Sequence, residues 1–424
     1  IEEVIKAEGG TDKEKELRDE AKNSSNVSVR NMANAILMIR RWVSDKKNVE
    51  LDTLYPFIRT KVILIYVASG ELEDAFRMFT VLNDRGIKLR SGDILKARNL
   101  SEVDNEELQR KYAIFWEELE GELGEDFDQF LSYIRTILVK EKARNNLLKE
   151  YEDNIYNPKV FDKTQKTYTS KPPLLKKGSE TFDFVKKYKK HYDKLFSGNN
   201  HDLNGDWAFD NLLGVLQDTA GSDIWIPPLM VYSNYFGEHR LNDFLIKLDN
   251  KFSGDWIARE TPTFRMEAMN NIIKQIEKTS KLDFEKEVKA ETLLTSDVFD
   301  FNQDEFIRQL KLGKIYGKRF ARYILRKVDY LLDAPLYSEK RASYGSMSVE
   351  HILPQTPKED SQWVADFTED ERMEWTHRLG NLVLISRRKN TRQGRLDFEQ
   401  KKEKYFQNSI ESFPNSLRVM QKGS

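Results

Sequence analysis

The stretch "SVEHILPQTP", residues 348–357, sets one of only five histidines, His351, directly after Glu350 and ahead of an apolar turn. Further on, Asn381 follows Gly380 in "LGNLVLIS", and Asn390 closes the basic run Arg387-Arg388-Lys389-Asn390. An imidazole beside a carboxylate, two amide oxygens and a string of cations suit metal-assisted hydrolysis of a phosphodiester. That chemistry needs a base for the attacking water, a hard divalent cation for the phosphoryl and leaving oxygens, and positive charge for the flanking phosphates. A neutral imidazole is a suitable base near pH 7, and a second group must fix its tautomer. The residue types therefore nominate His351 as base and Asn381 as the partner that orients its ring. Glu350 and Asn390 would offer oxygens to Mg2+ or Mn2+. Arg387, Arg388, Lys389, Arg392 and Arg395 would meet a DNA phosphate backbone.

These residues need a particular order of elements. A strand should end at Glu350-His351, and after an excursion Asn381 should open a second strand, since "NLVLIS" alternates well enough for one. Asn390 should then sit at a turn before the charged helix that starts near "DFEQKKEKY". Upstream, "KLGKIYGKRFARYILRKV" carries seven basic residues and no acid, and reads as a helix. Its Ile315, Phe320, Tyr323, Ile324 and Val328 can face a core. Lys318, Arg319, Arg322 and Arg326 then face outward, the first three as DNA contacts or as a solvated face. His377 reads as the end of a helix, and Trp363 and Trp375 as packing.

A chain of 424 residues is too long for one core, so two or three domains are expected. The composition, 39% hydrophobic and 33% charged, is that of a folded protein. Zero cysteines exclude disulfides and thiolate metal sites, and no apolar run is long enough for a membrane span; both read as cytoplasmic. The start at Ile1 rather than Met reads as a fragment or processed piece. Net charge hides an asymmetry: residues 1–310 hold 47 basic and 55 acidic side chains, residues 311–424 hold 22 and 15. A basic end on an acidic body suits an anionic partner. The first 150 residues are predicted helical, with Ser91 capping a helix after the Asn-Asp-Arg-Gly turn. Residues 154–179 read as a loop, and "DIWIPPLMVYSNYF" as core. The fold class is mostly α, a helical body with a small C-terminal α/β unit.

The "EHILPQ", "LGNLVLIS" and "KN" segments resemble the HNH, or ββα-metal, nuclease motif, in the branch found at the C-terminus of GmrSD-type restriction proteins. The separate stretch "FTVLNDRGIKLRSGDILKA" resembles the end of the ParB-like domain that precedes it there, with Asn83 and Arg85 beside a sensing surface. The resemblance implies three regions: residues 1–100 from a ParB-like sensor, 101–310 as a helical coupling region, and 311–424 as an HNH nuclease. It also implies a metal-dependent DNA endonuclease of an anti-phage restriction system. A single such site cuts one strand, so nicking and self-association are both expectations. The Asp-Gly-Gln-Gln-Arg motif tied to nucleotide use is absent, so nucleotide hydrolysis is not implied. Arg395 falls near the place of a second family Asn. Rival readings are a nucleic-acid-binding module that does not cut, an RNA- or single-strand-specific toxin nuclease, and a helical adaptor.

Overall fold

The computed structural model describes residues 11–24, 27–45, 51–63, 90–162, 164, 166–198, 207–336, 346–387, 394–406 and 413–421. Helices make up 69% of it, with two small antiparallel sheets. The chain divides into two compact units, Ile1–Arg135 with Arg144–Val185, and Thr136–Ala143 with Lys186–Ser424.

In the first unit, helices Thr11–Asn23 and Val27–Asp45 pack on each other through Leu17 and Ala33. A second core forms around Trp116, which meets Phe127 and Phe182 edge-on, each at 5.4 Å between centroids. Helix Ser91–Leu100 begins where the sequence places it, but its cap comes from elsewhere. The Asp128 carboxylate accepts from the N–H groups of Ser91 (3.2 Å) and Gly92 (3.0 Å), so a remote anion satisfies the free N-terminal donors. Gly92 is required there because a Cβ would lie 2.4 Å from the Phe127 ring. The predicted loop contains a hairpin, β1 (Lys159–Asp162) paired with β2 (Thr167–Ser170). Its strands are only four residues each and largely exposed, too short for a burial pattern to announce them.

The second unit is built on helices Ile226–Phe236, Leu241–Ile257 and Pro262–Ser280. "DIWIPPLMVYSNYF" is core as expected, with Tyr232 stacked on Phe244 at 4.0 Å. The basic segment is not one helix. Helix Gln303–Lys311 stops, Gly317 takes φ +82°, and helix Ala321–Asp333 starts afresh. Ile315, Phe320, Tyr323 and Ile324 are buried, and Lys318, Arg319 and Arg322 are exposed. Arg326 is buried rather than outward-facing. Arg322 and Arg326 lie one turn apart, but the later turns are covered by helix Pro414–Met420, whose Asn415 N–H donates to Asp329 at 2.8 Å. Fully buried Asp249 fixes the same helix to the helical layer, accepting from Tyr323 Oη and Lys327 Nζ, both at 2.5 Å.

The second sheet pairs β3 (Met347–His351) with β4 (Leu382–Ser386), setting Glu350 opposite Val383 and His351 opposite Leu382. β4 does not alternate in burial: Leu382, Val383, Leu384 and Ile385 are all buried. It packs against helices Ala321–Asp333 and Pro414–Met420, so both of its faces are covered. Val383 and Ile385 join Tyr405 and Met420 in one apolar cluster, which seats helix Phe398–Phe406 beside the sheet. The excursion between the strands carries short helices Gln362–Asp366 and Glu369–Trp375, the second opened by a Thr368/Glu371 capping box. Trp363 packs here, its indole donating to the Leu396 carbonyl at 3.0 Å. Trp375 is 46% exposed, with the Arg378 guanidinium over its ring at 4.4 Å.

Burial pushes the Asp329 carboxyl up to about 7, only partly offset by the Asn415 N–H and by Arg326. A carboxyl raised in the folded state contributes stability below its unfolded pKa, and loses it as pH rises through the folded value. Asp329→Asn keeps the acceptor for Asn415 and removes the charge. Its melting temperature should gain more over wild type at pH 8 than at pH 5; equal shifts at both pH values would refute the assignment.

Candidate active site

His351 ends β3 and is buried, as is the neighbouring Glu350. Two bonds from Lys401, on helix Phe398–Phe406, hold this strand end. The ammonium donates to Glu350 Oε1 and to the His351 carbonyl, each at 2.6 Å. Lys401 itself is 0% exposed. Burial raises the Glu350 pKa and lowers that of Lys401, and the attraction between the two offsets part of both shifts. Such a pair tolerates the loss of neither partner alone, because the survivor is a buried uncompensated charge.

Asn381, immediately before β4, does not contact the imidazole. Its Oδ1 accepts from the Leu353 N–H at 2.7 Å, and its Nδ2 donates to the carbonyls of Leu353 (2.9 Å) and Thr376 (2.8 Å). The Asn381 carbonyl also accepts from the Ile352 N–H at 3.0 Å. The amide is thus spent on clamping the chain as it leaves β3, and positions His351 through the backbone. A buried amide flanked by unpaired peptide groups satisfies them first.

The His351 ring meets three other side chains. Its Nε2 lies 3.3 Å from Nδ1 of His377, and its Nδ1 lies 3.5 Å from the Gln355 amide nitrogen. Tyr316 packs edge-on against it with centroids at 4.3 Å. Burial first, then the neighbouring His377 and Lys401, push the His351 pKa down to about 4. The imidazole is therefore neutral near pH 7.

Around it opens a cleft of about 270 Å³, lined by Tyr316, Glu350, His351, Gln355, Gly394 and Arg395 among others. A second cleft of about 660 Å³ adjoins it across Gln355 and Thr356, and holds His377, Lys314 and Arg372. Arg395 brings an exposed guanidinium to the first cleft, and Arg387 is exposed just after β4. Lys318, Arg319 and Arg322 lie at the surface around the start of helix Ala321–Asp333. Arg388, Lys389, Asn390 and Arg392 fall outside the described residues, as do Asn83 and Arg85.

Glu350 places one carboxylate on the cleft wall, a hard oxygen donor of the kind a Mg2+-class ion takes. Among the described residues no group of three or more His, Asp or Glu side chains could hold an ion unaided. With Glu350 Oε1 paired to Lys401, an ion here would draw most of its ligands from water and phosphate oxygens.

Sequence reasoning passed over Lys401, Tyr316 and Gln355, and favoured a helix end over a catalytic part for His377. Lys401 left a signal: Phe398, Lys401 and Tyr405 are spaced three and four apart, so the lysine lies on the apolar stripe of its helix. Lys401→Met should cost about 3–5 kcal/mol in urea unfolding, as expected for breaking a buried pair. Adding Glu350→Leu should recover most of that loss. A single variant as stable as wild type would remove the pair from its central place.

Two comparisons bear on this geometry. The chain matches none of the curated proteins with which it was compared. Residues 300–420 match the model for "GmrSD restriction endonucleases, C-terminal domain". That stretch holds β3, β4, the Lys401 helix and every residue named around His351, so the C-terminal part of this chain is similar to the GmrSD C-terminal domain.

Proposed function

We propose that the chain is a divalent-metal-dependent DNA endonuclease of a restriction or anti-phage system, with the HNH-type site at His351. The observation that carries this reading is a buried, neutral imidazole opening on a cleft that also holds a carboxylate and an exposed arginine. His351 accepts a proton from water as the water oxygen bonds to phosphorus. The P–O bond to the leaving sugar oxygen breaks with its electron pair, and that oxygen is protonated from solvent. Glu350 and Asn390 would hold Mg2+ or Mn2+, which supplies charge for the oxygens that become more negative. Arg395, Arg387, Lys318, Arg319 and Arg322, with Arg388, Lys389 and Arg392, track the phosphate backbone. The helical region before the GmrSD-type domain couples sensing of modified or foreign DNA to cutting, and one such site nicks one strand.

The Lys401 ammonium on Glu350 favours a second reading, a module that binds nucleic acid without cutting it. Cleavage of supercoiled plasmid with Mg2+ or Mn2+ separates the two. Wild type should nick, and His351→Ala should lose about 10²-fold or more of the rate, the usual worth of a general base. DNA binding without cleavage under either ion would favour the second reading, and full cleavage by His351→Ala would remove the base from His351. Arg395→Ala should weaken DNA binding with little sequence dependence, and reduce the slope of log K against log salt by about one.

A further inference from the structure

His351 and His377 come from different elements, β3 and the turn after helix Glu369–Trp375, and their rings meet at His351 Nε2 and His377 Nδ1, 3.3 Å apart. The other nitrogen of His351 faces the Gln355 amide group at 3.5 Å. With the Gln355 NH2 as donor, His351 Nδ1 is the accepting nitrogen. A neutral imidazole carries one proton, which must then lie on Nε2 and be donated to His377 Nδ1.

His377 is held firmly enough to impose this. Its carbonyl accepts from the N–H groups of Ile315 (2.8 Å) and Tyr316 (3.2 Å), which ties it to the Gly-rich turn before helix Ala321–Asp333. Its ring stacks on Tyr316, with centroids at 5.5 Å and planes 12° apart, and the same tyrosine packs edge-on against His351. Asn381 is committed to the backbone of Leu353 and Thr376 and contributes nothing to the ring.

We propose that His377 is a positioning residue that fixes the His351 tautomer, holding the proton on Nε2 and leaving the lone pair on Nδ1, which takes a proton from water when water displaces the 3.5 Å Gln355 contact. The proposal rests on His351 being the base. It gives the two adjoining clefts different roles: His351 lines the first and His377 the second, with Gln355 on the wall they share.

The test is nitrogen-15 NMR of the full chain labelled at histidine, using two-bond proton–nitrogen correlations at pH 7. His351→Ala assigns the His351 signals by removing them from the five. Wild type should show His351 as a single tautomer protonated on Nε2. His377→Ala should turn it into a mixture of both tautomers. His377→Asn, whose side-chain oxygen can accept the same bond, should restore the single form. In plasmid cleavage His377→Ala should lower kcat about ten- to hundred-fold with KM unchanged, the range seen when an orienting partner of a histidine is removed, and His377→Asn should recover most of it. His351 protonated on Nδ1 in wild type, or an unchanged tautomer in His377→Ala, would overturn the proposal. The nitrogen signals are read without turnover, so a failed tautomer assignment is distinguishable from a failure of the cleavage assay.

Discussion

A single buried ammonium holds the C-terminal unit in register. Lys401 reaches from helix Phe398–Phe406 to the end of β3, where it binds both the Glu350 carboxylate and the His351 carbonyl. Strand, helix and candidate site are therefore one electrostatic object. If the helix lifted, a carboxylate and a peptide oxygen would lose their partner in a region that excludes water. The apolar cluster of Val383, Ile385, Tyr405 and Met420 brings the helix close, and the ammonium determines where along the strand it settles.

The same exclusion of water shapes the chemistry available to His351. A solvated imidazole would titrate close to neutrality, whereas this one is pushed toward the neutral form by burial and by cationic or titratable neighbours. The cost of burial is then met by specific partners: Gln355 and His377 at the ring nitrogens, and Lys401 at the carbonyl. Two clefts meet at this point, one lined by Glu350 and Arg395, the other by His377 and Arg372. The exposed cations Lys318, Arg319 and Arg322 belong to the same unit, which suits a polyanion that extends past the site.

Much of the fold was legible because it rests on local periodicity. The helix over residues 27–45, the buried "DIWIPPLMVYSNYF" and the strand ending at His351 follow from spacing and turn residues, whereas the strand after Asn381 forms where expected but is buried on both faces instead of alternating. Two of the failures share a cause, contact with elements remote in sequence. Arg326 looked outward because its own helix offers an outer face, and nothing nearby in sequence says that helix Pro414–Met420 covers the later turns. Ser91 looked like a cap, but the acceptor its helix uses is Asp128, on another helix. The hairpin at residues 159–170 was missed because its strands carry no buried face to impose alternation.

By itself the sequence determined that a histidine follows an acid at a strand end, that an amide opens the next strand, and that basic residues surround both. Those are matters of residue type and short spacing, and they survive any packing that keeps the strands paired. Only the tertiary structure decided which partner each group takes. Asn381 went to the backbone, Glu350 to Lys401 and the His351 ring to His377, because a hydrogen-bonding group removed from water must bond to whatever the fold places within about 3 Å of it. Which groups come that close depends on elements that meet across tens of residues, and no local pattern encodes that meeting.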